Sequence, residues 1–138
     1  PGEVLVHVRY SGVNPSDWKT RKGGGGRKLI APLIIPHSDG AGIVEAVGAG
    51  VDAAWIGRRV WLYNGQRGRP LGTGAELITL DVGLITELPE NVAFAEGACL
   101  GIPAFTAMQA VRLGVRSFSH RDARHRNALG YSSAKSRK

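Results

Sequence analysis

The stretch from Pro32 to Tyr63 limits what this chain can become. An apolar run closes at Pro36, and the small residues Ser38-Asp39-Gly40-Ala41-Gly42 read as a turn. Ile43 to Val47 then reads as a strand, Gly48-Ala49-Gly50 as a second turn, and Arg59 to Tyr63 as another strand. β-Rich runs separated by Gly-rich turns are the sequence form of closely spaced antiparallel strands. Glycine also lets backbones approach where a side chain would not fit. Upstream, Glu3 to Tyr10 alternates, with Val4, Val6, Val8 and Tyr10 on one face and Glu3, Leu5, His7 and Arg9 on the other. That predicts a half-buried strand with His7 on its polar side and no catalytic role for it.

Composition narrows the class. At 138 residues, with 20 glycines and 43% hydrophobic residues, the chain suits one turn-rich β domain with a real core. The lone Cys99 excludes an internal disulfide framework and fits a reducing compartment, so a cytoplasmic location is expected. The chain opens Pro1-Gly2-Glu3 and has its one methionine at Met108, so it is expected to be a piece of something longer. The longest uncharged run, Gly97 to Val111, is too short to span a bilayer and contains Gly101 and Pro103.

The net charge of +7 invites a nucleic-acid reading. Residues 1–113 hold 11 Lys/Arg against 10 Asp/Glu, whereas residues 114–138 hold seven against the single Asp122. The basicity belongs to the end of the chain, where Phe118 and Tyr131 stand too far apart to interleave with the arginines as stacking platforms. Nucleic acid is not an expected partner.

Several motifs carry a plain reading and a sharper one. Asn14-Pro15 is a turn by composition; an amide there can also donate to and accept from a carbonyl or a ribose hydroxyl. Thr20 to Lys28, with four consecutive glycines between basic pairs, is a flexible loop and no P-loop, since no Gly-Lys-Ser/Thr follows. Gly40-Ala41-Gly42 fails the dinucleotide fingerprint because Glu45 stands where its third glycine belongs and the continuation is strand-like. Asn64-Gly65 predicts a short hairpin-like connection. Ala95 to Leu113 reads as helical in two pieces, with Pro103 in a first turn and Phe105, Met108 and Val111 forming one apolar stripe.

Taken together, Pro36-His37-Ser38-Asp39-Gly40-Ala41-Gly42, Gly57-Arg58-Arg59-Val60, Gly72-Thr73-Gly74-Ala75-Glu76, Leu88-Pro89-Glu90 and Gly101-Ile102-Pro103-Ala104-Phe105-Thr106-Ala107 resemble the GroES-like catalytic domain of medium-chain dehydrogenases/reductases. Gly12-Val13-Asn14-Pro15 resembles the zinc-free quinone oxidoreductases of the zeta-crystallin type in particular. The resemblance covers residues 2 to 113. It implies a GroES-like open β-barrel with one or two short helices near the C-terminal end, and hydride transfer from NADPH to a quinone or enone. It places the zinc-ligand positions of metal-dependent relatives at Asn14, Ser38 and Ile102, none of which supplies a thiolate or imidazole, so no metal is expected. His37 falls where such relatives carry a glycine, and reads as a polar residue near the cleft. The resemblance assigns Asn14 to catalysis and, with Thr106, to the cofactor. Tyr63 is expected to join in catalysis and to line the substrate cleft with Trp18, neither of these two resting on a matched motif. Arg58 replaces the family's aspartate, with some local stability expected to be lost.

Past Leu113 the resemblance stops. Where the family continues into a nucleotide-binding domain, this chain turns to an Arg/Ser/His-rich sequence over 114–138, expected to be disordered. It reads as a shifted reading frame or an unrelated fused end, with a genuine basic tail as the other account. The expected function is the catalytic-domain part of an NADPH-dependent quinone oxidoreductase, inactive by itself and prone to self-association. A non-catalytic remnant, or a binder of nucleic acid or acidic surfaces through the tail, stands beside it.

Overall fold

The computed structural model describes residues 1–22 and 31–114, and the expectations for the tail lie outside these residues. It divides into two units, Pro1–Phe105 and Thr106–Lys138. In the first, β1 (Glu3–Gly12), β2 (Asp39–Val47), β3 (Arg59–Leu62), β4 (Leu77–Asp81) and β5 (Ile85–Glu87) form one sheet in the order β4-β1-β2-β3-β5. Every pair in it is antiparallel.

The two edge strands, β4 and β5, are consecutive in the chain, separated only by the 3-10 turn Val82–Leu84. Asp81 caps that turn, its carboxylate accepting the Gly83 N–H at 2.7 Å. Ile78 and Leu80 from one edge and Ile85 from the other bury themselves in the same cluster as Val4, Val6, Val44, Val60 and Leu62. A sheet whose opposite edges share one core has curled, as the expected open barrel requires. Leu62 and Leu80 are among the fully buried side chains, each contributing roughly 2–3 kcal/mol of burial.

The alternation of β1 holds as far as Val8. Arg9 is then an extra residue in the ladder, pairing passing from Val8↔Gly42 to Tyr10↔Ala41. The bulge breaks the period, and Tyr10 ends 55% exposed. His7 lies on the outer side as expected, its Nδ1 3.0 Å from Glu45 Oε1.

Three local expectations change. Gly40-Ala41-Gly42 is not a turn but lies within β2. Its glycine at 42 answers to packing, since a β-carbon there would stand 2.1 Å from the His7 carbonyl oxygen. Asn64-Gly65 does turn the chain, with Asn64 at φ 62° and Arg67 N–H bonded to its carbonyl at 3.0 Å. It joins no hairpin, however, because β3 pairs with β2 and β5 while β4 pairs with β1. Finally, a helix near the N-terminal end, α1 (Pro15–Arg21), joins those expected further on, α2 (Phe94–Gly97) and the irregular turn Leu100–Ala104. Of the second unit, residues 106–114 are helical.

Arg58 does not leave its turn unsupported. Its Nε donates to the Ala54 carbonyl at 3.2 Å and its Nη1 pairs with Glu87 at 3.0 Å, both on the surface. Arg59 is the stronger fastener: it donates to the Pro89 and Val92 carbonyls at 3.0 and 2.7 Å and lies 4.5 Å over the Phe94 ring.

Candidate functional site

The site grows from one buried acid. Asp39 opens β2 with no solvent exposure. Its Oδ2 accepts two hydrogen bonds of 2.8 Å, from the Asn14 side-chain amide and from the Ile102 backbone N–H. Burial drives the Asp39 pKa up from the ordinary carboxylate range. The Asn14 amide and the backbone N–H groups of Ile102 and Asn64 work against that, while the Asp17 charge adds to it. Burial wins, and Oδ1, itself buried, has no hydrogen-bond partner among the described residues.

Each partner of Asp39 is delivered by an interruption in regular structure. Asn14 is the N-cap of α1, extended at φ −113° and ψ 158°, with Pro15 at the first helical position. The Asp17 carboxylate takes the Asn14 N–H at 2.7 Å and locks the cap. With its Nδ2 donating to Asp39 Oδ2, the 3% exposed Asn14 has a fixed amide orientation. Ile102 has a backbone N–H to give because Gly101, at ψ −115°, breaks the helical path and frees it from an intrahelical partner.

A second chain of hydrogen bonds leads from Asp39 to the surface. Thr73, fully buried, donates its hydroxyl to the Asp39 carbonyl oxygen at 2.6 Å. Ser11 Oγ lies 3.0 Å from Thr73 Oγ1 and 2.9 Å from His37 Nδ1. His37 holds the left-handed backbone at φ 75°, which costs a side-chain-bearing residue roughly 1–2 kcal/mol relative to glycine. It lines a cavity of about 580 Å³ with Val13, Trp18, Ile34, Pro36 and Gln66.

The residues singled out from sequence divide accordingly. Asn14 is bound to Asp39, and Trp18 is half exposed on the cavity wall, with the Lys19 and Lys22 ammonium groups 5.8 and 5.4 Å from its ring. Tyr63 is not on that wall; it packs on Phe105 with ring centroids 5.0 Å apart, beside the Trp61–Phe105 contact at 5.9 Å. Thr106 opens the second unit and is exposed. Met108 and Val111 of the apolar stripe are also exposed. Sequence reasoning missed Asp39 as the hub, having placed it in a turn, and missed Ser11 and Thr73 altogether. The helix-opening pattern Asn14-Pro15-Ser16-Asp17 was the one local signal available for the cap.

The donors do not suit zinc. Positions 14 and 102 converge on Asp39, next to Ser38, yet they bring an amide and an aliphatic side chain. Cys99 is exposed, and no three His, Cys, Asp or Glu side chains among the described residues stand close enough to hold a metal. Nor do the described residues fit a whole dinucleotide. Gly40 and Gly42 are filled by strand packing, so their N–H groups form no phosphate cradle. No helix among the described residues is long and apolar enough to cross a membrane.

Residues 1–104 match the family described as Alcohol dehydrogenase GroES-like domain, and the chain belongs to that family. It is 41% identical over 109 residues to the quinone oxidoreductase of Mus musculus, covering 79% of this chain and 31% of that protein. Identity to the Rattus norvegicus quinone oxidoreductase is 40%, over 79% of this chain and 32% of that one. The solved quinone oxidoreductase of Coxiella burnetii superposes with a TM-score of 0.73 at 29% identity, covering 81% of this chain and 36% of that structure. The chain thus spans about a third of the length of these relatives.

Proposed function

We propose that this domain is the substrate-side part of an NADPH-dependent quinone oxidoreductase that works without zinc. The observation that carries the reading is the convergence of Asn14 and Ile102 on the buried Asp39 carboxylate. Where a metal-dependent enzyme needs a thiolate, this site has an amide held at a fixed angle. Such an amide, tied to a buried carboxylate, orders the site by hydrogen bonding and brings no Lewis-acid polarisation to it. The likeness to proteins named quinone oxidoreductase supports the substrate class, a flat ring carrying carbonyl oxygens.

NADPH would supply the hydride, and the described residues offer its phosphates no cradle of backbone N–H groups. The work left to this chain is to orient the ring, exclude water and meet the developing charge on oxygen. In this reading Trp18 flanks the substrate and Thr106 meets the nicotinamide, while Asn14, buried and tied to Asp39, shapes the site from behind. Tyr63, packed on Phe105 away from the cavity, does not touch the ring. A cytoplasmic location and association with a second copy belong to the same proposal.

The test is a fusion of residues 1–113 to the nucleotide-binding part of the Coxiella burnetii relative. The expected result is NADPH oxidation that depends on 1,4-naphthoquinone and is insensitive to chelators. A folded fusion that binds NADPH but oxidises none with quinone would overturn the reading, as would activity abolished by a chelator.

A further inference from the structure

The hydrogen bonds from Asp39 to His37 fix where the histidine keeps its proton. Thr73 gives its single hydroxyl proton to the Asp39 carbonyl oxygen, which can only accept. The Ser11–Thr73 contact of 3.0 Å therefore needs Ser11 as donor. That uses the one proton of the Ser11 hydroxyl, so its 2.9 Å contact with His37 needs the imidazole Nδ1–H as donor. His37 carries a proton on Nδ1 whether neutral or charged, and only Nε2 changes state. No hydrogen bond to a described residue engages Nε2.

We propose that His37 is the residue in the cavity that recognises an oxygen of the quinone or enone, through Nε2, and protonates it on reduction. The inference rests on the functional reading above and adds a residue that the resemblance does not supply. The cavity suits such a ligand: Val13, Trp18, Ile34 and Pro36 offer apolar walls to a ring, and His37 is a polar group on the same wall. Among the described residues, Asp17 and Arg21 are the other ionisable side chains that line it.

The chemistry balances without any further reactant. Hydride from a dihydronicotinamide brings two electrons and one hydrogen to the quinone, leaving the hydroquinone monoanion. The Nε2–H bond of the imidazolium breaks and the proton passes to the anionic oxygen. Neutral hydroquinone and a neutral imidazole protonated on Nδ1 result, and solvent returns the proton to Nε2. The Ser11 contact persists throughout, so the ring need not turn over between the two states.

The experiment uses the full 138-residue chain with ¹⁵N-labelled histidine. Magnetic resonance is expected to show neutral His37 protonated on Nδ1. Titration with 2-methyl-1,4-naphthoquinone is expected to shift the Nε2 resonance, whereas 2-methylnaphthalene, which lacks the oxygens, leaves it in place. His37→Asn tolerates the positive φ and keeps an N–H for Ser11 but loses Nε2. It is expected to bind the quinone at least fivefold more weakly and the hydrocarbon equally well. In the fusion enzyme the same variant is expected to lower quinone turnover about 100-fold. Neutral His37 protonated on Nε2, an Nε2 resonance unmoved by quinone, or unchanged turnover in His37→Asn would each overturn the inference while leaving the functional reading in place. Failure of the chain to bind the quinone, or of the wild-type fusion to reduce it, would overturn both.

Discussion

Gly101 lies against the Asp39 carboxylate so closely that a β-carbon on it would stand 2.3 Å from Oδ1 and 2.5 Å from Cγ. The same glycine breaks the helical path that frees the Ile102 N–H for Oδ2. Asp39 cannot retreat, because Asn14 holds the other side of Oδ2. Gly101→Ala is therefore expected to destabilise the fold by about 2–4 kcal/mol, combining a steric clash with a disturbed buried hydrogen bond. Thermal unfolding checks it: a melting point within a degree or two of the parent would show that the carboxylate has room to move.

Asp39 also sets a pH dependence. Its pKa is raised in the fold, chiefly by burial. Between the ordinary carboxylate value of 3.8 and that raised value, the folded state holds more protons than the unfolded chain, so this group's contribution to stability falls as pH rises. It is fully present below about pH 3.8 and lost through the folded pKa. Asp39→Asn is expected to remove this component, since its side-chain oxygen still accepts from Asn14 and Ile102 without a charge to bury. Denaturant unfolding of both proteins across pH 4 to 7 reads it out. Identical slopes with pH in the two would disprove the assignment.

Local pattern reveals much of this fold and little of its hub. Alternation located β1, and apolar runs between Gly-rich turns located β3 and the latter half of β2, because those patterns record which face is buried. Gly40-Ala41-Gly42 misled because glycine marks both a turn and a strand pressed against backbone, and only the His7 carbonyl across the ladder distinguishes them. Asn64-Gly65 misled in a related way: its turn chemistry is correct, but what a turn connects is decided by pairings far along the chain. Asp39 meets Asn14 from 25 residues away and Ile102 from 63. No window of sequence contains such a meeting. Position 37 was legible once set beside a glycine, and the φ of 75° at His37 shows what that position demands of the backbone.

Zinc should be absent from the purified chain. The positions that would ligate it present an amide at Asn14, a hydroxyl at Ser38 and an aliphatic side chain at Ile102. Elemental analysis after mild chelation is expected to find far less than one zinc per chain. One tightly held equivalent would contradict the donor chemistry.

NADPH should bind the full chain weakly and with strong dependence on salt. Arginines can attract its phosphates through a field that a few hundred millimolar salt screens, whereas the described residues offer no cradle of backbone N–H groups. Calorimetric titration at low and near-physiological ionic strength separates the two. Micromolar affinity that survives added salt would reveal a nucleotide site in this chain.

The curl that brings β4 and β5 to opposite edges of one sheet also dictates an order of events during synthesis. β1 ends at Gly12 and its outer partner β4 begins at Leu77, about 65 residues later. At roughly 5–20 residues per second, a ribosome leaves that flank of β1 without its mate for several seconds. Its valines and its unpaired N–H and C=O groups are open to other chains throughout that interval. Leu77 to Glu87 closes both edges almost at once, so the domain gains its protection in a single late step. A nascent chain stalled before Leu77 is the vulnerable species, and chaperone capture should peak there and fall sharply once Glu87 has emerged.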